Sequence, residues 1–256
     1  METETVFDRI HSNIESTLRY VPETVSPFSM IVMLIGYLYC VLKQGPKFMK
    51  NRKAYDLRSV ILVYNFLQIV ANTMLVVTGA FMMWYAQDSY VCLKRNPLYL
   101  KMAVLYYTLK CCDLIETIIF VLRKKANQVS MLHVYHHLMV IIGTYIELVF
   151  SPSGHNMLPG LMNCCVHAVM YSYYFMSAYD PDLMKLESFK RWKKTVTQIQ
   201  LVQFAVAMVH YIWPLVFGHC NMPPVFSLFC ISQDIVMIYL FGRFYVKTYV
   251  HNDKTK

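Results

Sequence analysis

Charged residues and helix-breaking residues are both scarce in this chain of 256 residues. Only 15% of the residues are charged, and eight glycines and ten prolines are present. A water-soluble domain of this length needs more charge to cover its surface. Segments of low complexity or of linker-like composition are also lacking. The composition therefore excludes an ordinary soluble enzyme and indicates one compact domain, which we expect to lie in a membrane.

Apolar residues make up 57% of the chain and form long blocks, including charge-free runs at residues 59–87, 195–220 and 222–233. A helix that crosses the hydrocarbon core of a bilayer needs about 20 mostly apolar residues. The blocks predict an all-α polytopic membrane protein with seven transmembrane helices. The predicted spans are near residues 27–43, 59–86, 99–122, 128–150, 157–179, 194–217 and 224–246.

Most of the 24 Lys and Arg residues follow spans one, three, five and seven. The positive-inside rule then places the C-terminus in the cytosol and the N-terminus in the lumen. The N-terminal segment is acidic, whereas a cleaved signal peptide begins with positive charge, so we expect the first span to act as the signal. The net charge of +9 comes mostly from basic residues that the topology places at the cytosolic edge of the membrane, so it does not indicate a nucleic-acid surface. Basic residues at that edge suit anionic lipid or a phosphate-rich substrate.

Two cysteines, Cys92 and Cys220, fall in loops that the topology places on the lumenal side. If that side is the lumen of the endoplasmic reticulum, which is oxidising, a disulfide between them is one interpretation. Two unrelated thiols are the other.

Three histidines in span four give the strongest chemical signal. His133, His136 and His137 share one helical face, since residues three and four apart are neighbours on a helix. Counting about 1.5 Å per residue from Lys125 places them roughly 12–18 Å from the cytosolic edge. Three polar rings at that depth must face a cavity or polar partners. The cluster favours a catalytic site over packing histidines.

Spans three, five and six carry further polar faces. Span three has a charged stripe of Lys110, Asp113 and Glu116, which we expect to pair within itself and with the histidines; a purely structural ion pair stays open. The polar residues on one face of span five indicate a functional site. Two glutamines on span six favour hydrogen bonds between helices. These residues are Asn163, His167, Tyr171 and Tyr174 on span five, and Gln200 and Gln203 on span six.

Four segments in order resemble the motifs of the ELO family, the very-long-chain fatty acid elongases of the endoplasmic reticulum membrane. They are KCCDLIETIIFVLRKK at 110–125, HVYHH at 133–137, NCCVHAVMYSYY at 163–174 and TQIQLVQF at 197–204. The family's Lys-x-x-Glu-x-x-Asp-Thr is present with its two acids exchanged, as Asp113 and Glu116. The exchange keeps charge and spacing but changes side-chain reach by one methylene at each position.

The resemblance implies a barrel of spans two to seven, built of two inverted three-helix units around a substrate tunnel, with span one peripheral. It also implies condensation of a long-chain acyl-CoA with malonyl-CoA, releasing carbon dioxide and coenzyme A and giving a 3-oxoacyl-CoA. We expect no cofactor and no metal. Candidate partners besides membrane lipid are a second copy of the chain and the other enzymes of the elongation cycle. Basic residues that could bind coenzyme A are Arg123, Lys124, Lys193, Lys194 and Arg243.

The mechanistic hypothesis is that His136 attacks the acyl thioester and forms an acyl-imidazole, since an imidazole in an apolar site is expected to be uncharged and nucleophilic. Malonyl-CoA then loses carbon dioxide, and its carbanion takes the acyl group. His133, His137 and His167 would orient, protonate or stabilise the enolate. In the alternative there is no covalent step, and a histidine acts only as a base or an oxyanion donor.

Two other functions fit parts of the pattern. A membrane di-iron desaturase or hydroxylase also uses His-x-x-His-His, but its two irons need around eight histidines, and only five of this chain's nine fall within predicted spans. A seven-span transporter or receptor fits the topology. A transporter could use the histidines for protons, whereas a receptor has no evident use for them beside a charged stripe.

Overall fold

The computed structural model describes residues 25–86, 97–150, 155–218 and 222–250. These ranges contain helices and turns and no strand, which confirms the all-α prediction. The long helices are α1 (Pro27–Met49), α2 (Arg58–Ala86), α3 (Pro97–Leu122), α4 (Met131–Phe150), α5 (Met157–Tyr179), α6 (Glu187–Phe217) and α7 (Pro224–Tyr245). A 3₁₀ turn at Pro181–Lys185 joins α5 to α6, and a π-helical turn at Val246–Val250 continues α7. Cys92 and Cys220, the predicted disulfide pair, lie outside the described residues.

Helix α2 shows the reverse of the polarity expected in a water-soluble protein. Its amide residues Asn65, Gln68 and Asn72 are 3% or less exposed, while Val63 and Met74 are 60% and 64% exposed. Water would stabilise the opposite arrangement. Hydrocarbon stabilises the observed one, because polar side chains in a bilayer face the protein interior and apolar ones face lipid. The chain is therefore a multi-pass membrane protein.

Five of these helices, namely α1, α2, α4, α6 and α7, are long and apolar enough to cross a membrane by length and composition. The other two carry more polar residues. Helix α3 contains Lys101, Lys110, Asp113 and Glu116, and α5 contains the polar face around His167. The seven-span topology therefore stays a prediction, although a helix lies at each predicted position.

Helix α1 extends beyond residue 43, where the first span was predicted to end. The helix continues to Met49 through a π-helical turn at Cys40–Gln44, in which the Gly45 N–H donates to the Cys40 carbonyl. Pro46 has no N–H to donate, and the wider turn lets the helix continue where an α-helix would break.

Helices α4 and α6 also begin elsewhere than predicted. Ser130 caps α4, and its hydroxyl accepts the His133 N–H at 3.2 Å. Residues 126–130 are not helical, so the count of helical rise from Lys125 was wrong, and the histidines occupy the first two turns of α4. Helix α6 starts at Glu187, ahead of residue 194, because its first turns are basic and lie outside the apolar run.

The helices form two compact groups. Of the described residues, the first group comprises 25–56, 97–150 and 155 and holds α1, α3 and α4 around a core that includes Val41, Ile141 and Leu148. The second comprises 57–86, 156–218 and 222–250 and holds α2, α5, α6 and α7. The groups differ from the predicted consecutive sets of spans two to four and five to seven. The barrel and its tunnel stay predictions.

Candidate active site

The histidine cluster of α4 is compact. The ring centroids of His133 and His137 are 4.3 Å apart, and those of His136 and His137 are 5.5 Å apart, both with edge-to-face geometry. His137 is 5% exposed. The ring of Phe120 from α3 lies 5.3 Å from that of His133. The three imidazoles therefore meet as predicted, with apolar packing on one side.

The charged stripe of α3 is buried. Lys110 Nζ donates to Asp113 Oδ2 at 3.1 Å, and the two side chains are 2% and 1% exposed. Lys110 also lies over the ring of Tyr106, 5.1 Å from its centroid. A charge buried this deeply is stable only when paired. The prediction that Lys110 and Asp113 pair within the stripe is confirmed.

Glu116 and Thr117, one turn further along α3, face the histidines. Glu116 Oε2 lies 4.0 Å from His137 Nε2, and Thr117 Oγ1 lies 2.8 Å from His133 Nε2. The exchanged acids therefore have different neighbours, because Asp113 pairs with Lys110 whereas Glu116 faces His137.

Tyr37 of α1 completes a hydrogen-bonded line that the sequence did not reveal. Its hydroxyl lies 2.9 Å from Thr117 Oγ1, so two hydrogen bonds connect Tyr37, Thr117 and His133. Tyr37 is 6% exposed and Thr117 is fully buried. A hydroxyl both donates and accepts, so the line can support either tautomer of His133. The peripheral position predicted for span one gave no sign of this contact.

One subset of these side chains could hold a metal ion. One ligand atom from each of Glu116, His133 and His137 lies within 4.8 Å of the others. Carboxylate and imidazole suit zinc or iron. A three-residue group is far short of the ligands that two irons require. It does not favour the desaturase alternative, and the expectation of a metal-free site stays a prediction.

The polar face of α5 lies in the second group of helices. Asn163, His167 and Tyr171 are 6%, 4% and 0% exposed. The Tyr171 ring contacts His167 at 5.7 Å and Tyr174 at 6.1 Å between centroids. Three residues of the predicted face are therefore buried together, and Tyr174 is partly buried. The ring of Tyr171 contacts His167 from the side that the topology predicts to be cytosolic.

The amides of α2 face this part of α5 and were missed by the sequence analysis. The Tyr64 ring contacts Tyr171 edge-to-face at 5.9 Å, and Gln68 Nε2 donates to the Tyr64 hydroxyl at 3.0 Å. Asn72 Nδ2 donates to the Gln68 carbonyl at 2.8 Å, and Asn72 is fully buried. The signal that could have revealed them is the spacing of Asn65, Gln68 and Asn72, which places three amides on one helical face.

Helix α6 contributes the two predicted glutamines. Gln200 Nε2 donates to the Met170 sulfur of α5 at 3.6 Å, which confirms a hydrogen bond between helices. Gln203 is 7% exposed and lies one turn further along α6. Since α5 and α6 are antiparallel, Gln203 lies level with His167.

The basic residues proposed for coenzyme A sit at helix ends. Arg123 and Lys124 follow α3, where Lys124 has a positive φ of 55°. Lys193 and Lys194 lie near the start of α6, and Lys194 is 5.9 Å from the ring centroid of Tyr245. Arg243, near the end of α7, lies 5.8 Å from the Tyr239 ring centroid. Their role in substrate binding stays a prediction.

His133, His136 and His137 belong to the first group of helices and His167 to the second. The mechanistic hypothesis requires all four imidazoles to act on one substrate, and that requirement stays a prediction.

Comparison with known proteins agrees with the resemblance. The profile described as "ELO: GNS1/SUR4 family" matches residues 22–256. The chain is 36% identical over 236 residues to a very long chain fatty acid elongase of Aedes aegypti, covering 89% of this chain and 65% of that protein. It is 33% identical over 253 residues to very long chain fatty acid elongase 7 of Drosophila melanogaster, covering 96% and 76%. It is 30% identical over 252 residues to very long chain fatty acid elongase 1 of Homo sapiens, covering 95% and 89%. The chain belongs to the ELO family.

Proposed function

We propose that this chain is the condensing enzyme of fatty acid elongation, a 3-oxoacyl-CoA synthase that joins a long-chain acyl-CoA to malonyl-CoA. Membership of the ELO family supports an enzyme of fatty acid elongation. The observation that carries the chemistry is the compact cluster of three imidazoles, in which the rings of His133 and His136 lie 4.3 Å and 5.5 Å from that of His137.

The first half-reaction transfers the acyl group to the protein. A ring nitrogen of His136 attacks the thioester carbonyl, the carbon–sulfur bond breaks, and coenzyme A leaves as the thiol after taking a proton. In the second half, malonyl-CoA loses carbon dioxide. The carbanion left at its C2 attacks the acyl-imidazole carbonyl, which forms the new carbon–carbon bond and releases His136. Splitting the reaction in this way replaces one difficult encounter with two simpler steps.

The attack is assigned to His136, which packs against His137 and belongs to the same helical face. Thr117 hydrogen-bonds Nε2 of His133, and Glu116 faces Nε2 of His137, so these two rings carry orienting contacts. We assign His133 and His137 to positioning, and His167 to stabilising the enolate or to proton transfer.

The chain acts in the endoplasmic reticulum membrane, with seven spans and its C-terminus in the cytosol. The distribution of Lys and Arg supports that orientation. It places the ends of α3 and α7 and the start of α6 on the side where coenzyme A esters are found. A second copy of the chain and the reductases and dehydratase of the cycle are the proposed protein partners.

Intact-protein mass spectrometry tests the covalent step. Purified protein incubated with acyl-CoA alone should gain the mass of one acyl group, and His136→Ala should abolish the gain. His251→Ala, which changes a histidine outside the described residues, is the control and should retain it. Subsequent malonyl-CoA should remove the acyl group and yield 3-oxoacyl-CoA. Elongation of labelled malonyl-CoA without any adduct would rule out the covalent scheme and leave the condensation standing.

Metal analysis of the same preparation separates condensation from the desaturase alternative. We expect elongation activity that survives dialysis against chelator. Stoichiometric iron, together with loss of activity on its removal, would instead support metal chemistry at Glu116, His133 and His137.

A further inference from the structure

A buried carboxyl group in α7 has no role in the mechanism above. Asp234 is 8% exposed, and no described residue lies within hydrogen-bonding distance of its Oδ2. The apolar run at residues 222–233 ends just before it, so Asp234 is an acid in the middle of an otherwise apolar helix. An acidic residue inside a membrane-spanning helix is costly without a partner and usually marks a site of function.

A second polar group lies on the same face of α7. Ser227 is fully buried, and its Oγ also lacks a hydrogen-bond partner among the described residues. Seven residues, or two helical turns, separate Ser227 from Asp234, which places the two side chains on one face about 10 Å apart. Two neighbouring buried polar groups without partners are unusual, because nearly all such groups in proteins are satisfied.

Contacts between α6 and α7 fix the position of Asp234 along the helices. The rings of Phe204 and Phe241 are 5.4 Å apart between centroids, and the helices run antiparallel. Asp234 precedes Phe241 by seven residues, and Tyr211 follows Phe204 by seven. Asp234 therefore lies level with Tyr211, which is itself buried.

Contacts between α5 and α6 relate the position of Asp234 along the helices to that of His167. Gln200 donates to Met170, which places Gln203 level with His167 in the antiparallel pair. Tyr211 lies eight residues beyond Gln203, or about 12 Å along α6. The Asp234 level is thus about 12 Å from the His167 level, towards the start of α5.

An unsubstituted acyl chain bound along these helices would leave Asp234 unpaired, whereas a hydroxyl group would pair with it. A hydroxyl both donates and accepts, so it can hydrogen-bond a carboxylate or a protonated carboxyl group. The Ser227 hydroxyl, about 10 Å away, is too distant to contact the same group. Acids paired with a ligand hydroxyl discriminate strongly, because a ligand that lacks the hydroxyl leaves a buried polar group unsatisfied.

We propose that Asp234 forms a subsite for a hydroxyl group on the acyl chain, at a level about 12 Å along α6 from that of His167. The inference rests on the proposed function, since it takes the acyl chain to lie along α5–α7 from the level of His167. It names hydroxylated acyl-CoAs as the preferred substrate class.

A positional series of hydroxyacyl-CoAs of one chain length tests the subsite. Binding to purified protein in detergent is compared with that of the unsubstituted acyl-CoA. The isomer whose hydroxyl lies at the stated distance should bind about tenfold more tightly, the effect of one hydrogen bond to a charged group, and the other isomers should not. Asp234→Leu should abolish the preference, and Asp234→Asn, which keeps hydrogen-bonding atoms, should retain part of it.

Matched controls exist on the same protein. Asp182→Leu makes the same change at an exposed acid, and Ser227→Ala removes the buried hydroxyl two turns from Asp234. Both controls should leave the preference intact. Thermal unfolding identifies misfolded variants, and Asp234→Leu should unfold at a higher temperature, because it removes an unpaired buried acid.

Elongation of the unsubstituted acyl-CoA, measured in parallel, separates the two proposals. If that chain is elongated but no hydroxyl position improves binding, or if Asp234→Leu keeps the preference, the subsite is wrong and condensation stands. If nothing is elongated but the preference depends on Asp234, the subsite stands and the condensation proposal fails.

Discussion

The Thr117 hydroxyl oxygen lies 2.8 Å from Nε2 of His133, and this contact joins the α3 motif at residues 110–125 to the histidine cluster of α4. Thr117 is fully buried, so no water competes for the hydrogen bond. Because the bond engages one ring nitrogen of His133, it fixes the orientation of the ring. Thr117 is thus a positioning residue for the cluster.

Replacing Thr117 with valine keeps the shape of the side chain and removes its hydroxyl. We expect Thr117→Val to lower kcat about fivefold, the value of about one hydrogen bond, with KM for acyl-CoA nearly unchanged. Steady-state elongation assays measure both constants. Thr117→Ser keeps the hydroxyl and should stay within about twofold of the parent. Equal losses in both variants would show that the methyl group matters and the hydrogen bond does not.

Tyr37 gives an independent test of the same line of hydrogen bonds. Tyr37→Phe removes the hydroxyl that lies 2.9 Å from Thr117 but leaves the ring packed on α3. Activity should fall by less than in Thr117→Val, because Thr117 still contacts His133. In the double variant the losses should be less than additive, since both changes act through one line. If the activity losses of the two single variants add fully in the double variant, Tyr37 does not act through the hydrogen bond between Thr117 and His133.

The two exchanged acids should respond differently to a change of one methylene. Glu116→Asp draws the carboxylate back from His137, where the distance is already 4.0 Å, and should lower kcat with little effect on stability. Asp113→Glu adds volume to a pair that is 1–2% exposed, and should cost about 1–3 kcal/mol of unfolding free energy. Thermal unfolding and kcat, measured on both variants, should show opposite patterns. If Glu116→Asp and Asp113→Glu lower the unfolding temperature equally, the two acids do not have separate roles.

Gly45 allows α1 to approach α3 closely. A Cβ at this position would lie 2.7 Å from the Cys40 carbonyl oxygen and 2.7 Å from Val121 Cγ1. Gly45→Ala should therefore destabilise the protein by roughly 1–3 kcal/mol. The control is Gly36→Ala on the same helix, where nothing lies within 4 Å, and which should be neutral or stabilising. A stable Gly45→Ala protein would show that the two helices can separate at little cost.

The helix positions were largely predictable because hydrophobic length in a membrane is a strict requirement. Helices α2 and α5 begin and end within a residue of their predictions, since charged or Pro- and Gly-containing segments bound them. Helix α6 extends beyond its prediction because hydropathy detects the bilayer-spanning part of a helix and not its basic continuation into water. The grouping of α2 with α5 depends on contacts distant in sequence, which hydropathy does not encode.

The candidate site was predictable where its residues are charged or are histidines. Lys110, Asp113 and the α4 histidines are conspicuous in an apolar sequence, and they meet as expected. Asn72 and Asp234 were overlooked for different reasons. Asn72 lies in a run that was judged only by its lack of charge, and Asp234 lies one residue beyond another such run. Tyr37 was invisible because a tyrosine in a span is unremarkable without the three-dimensional contact to Thr117.

The π-helical turn at Cys40–Gln44 lets α1 hold one more residue than regular α winding would. A π turn takes up one extra residue within an α-helix, so the turns on either side keep their register. Deleting one residue from this segment would therefore restore regular winding and leave Gly45 facing Val121. Deleting a residue from Pro27–Tyr39 would instead rotate the two parts of α1 by about 100° relative to each other. An alignment gap within Cys40–Gln44 is thus compatible with the close fit of α1 to α3.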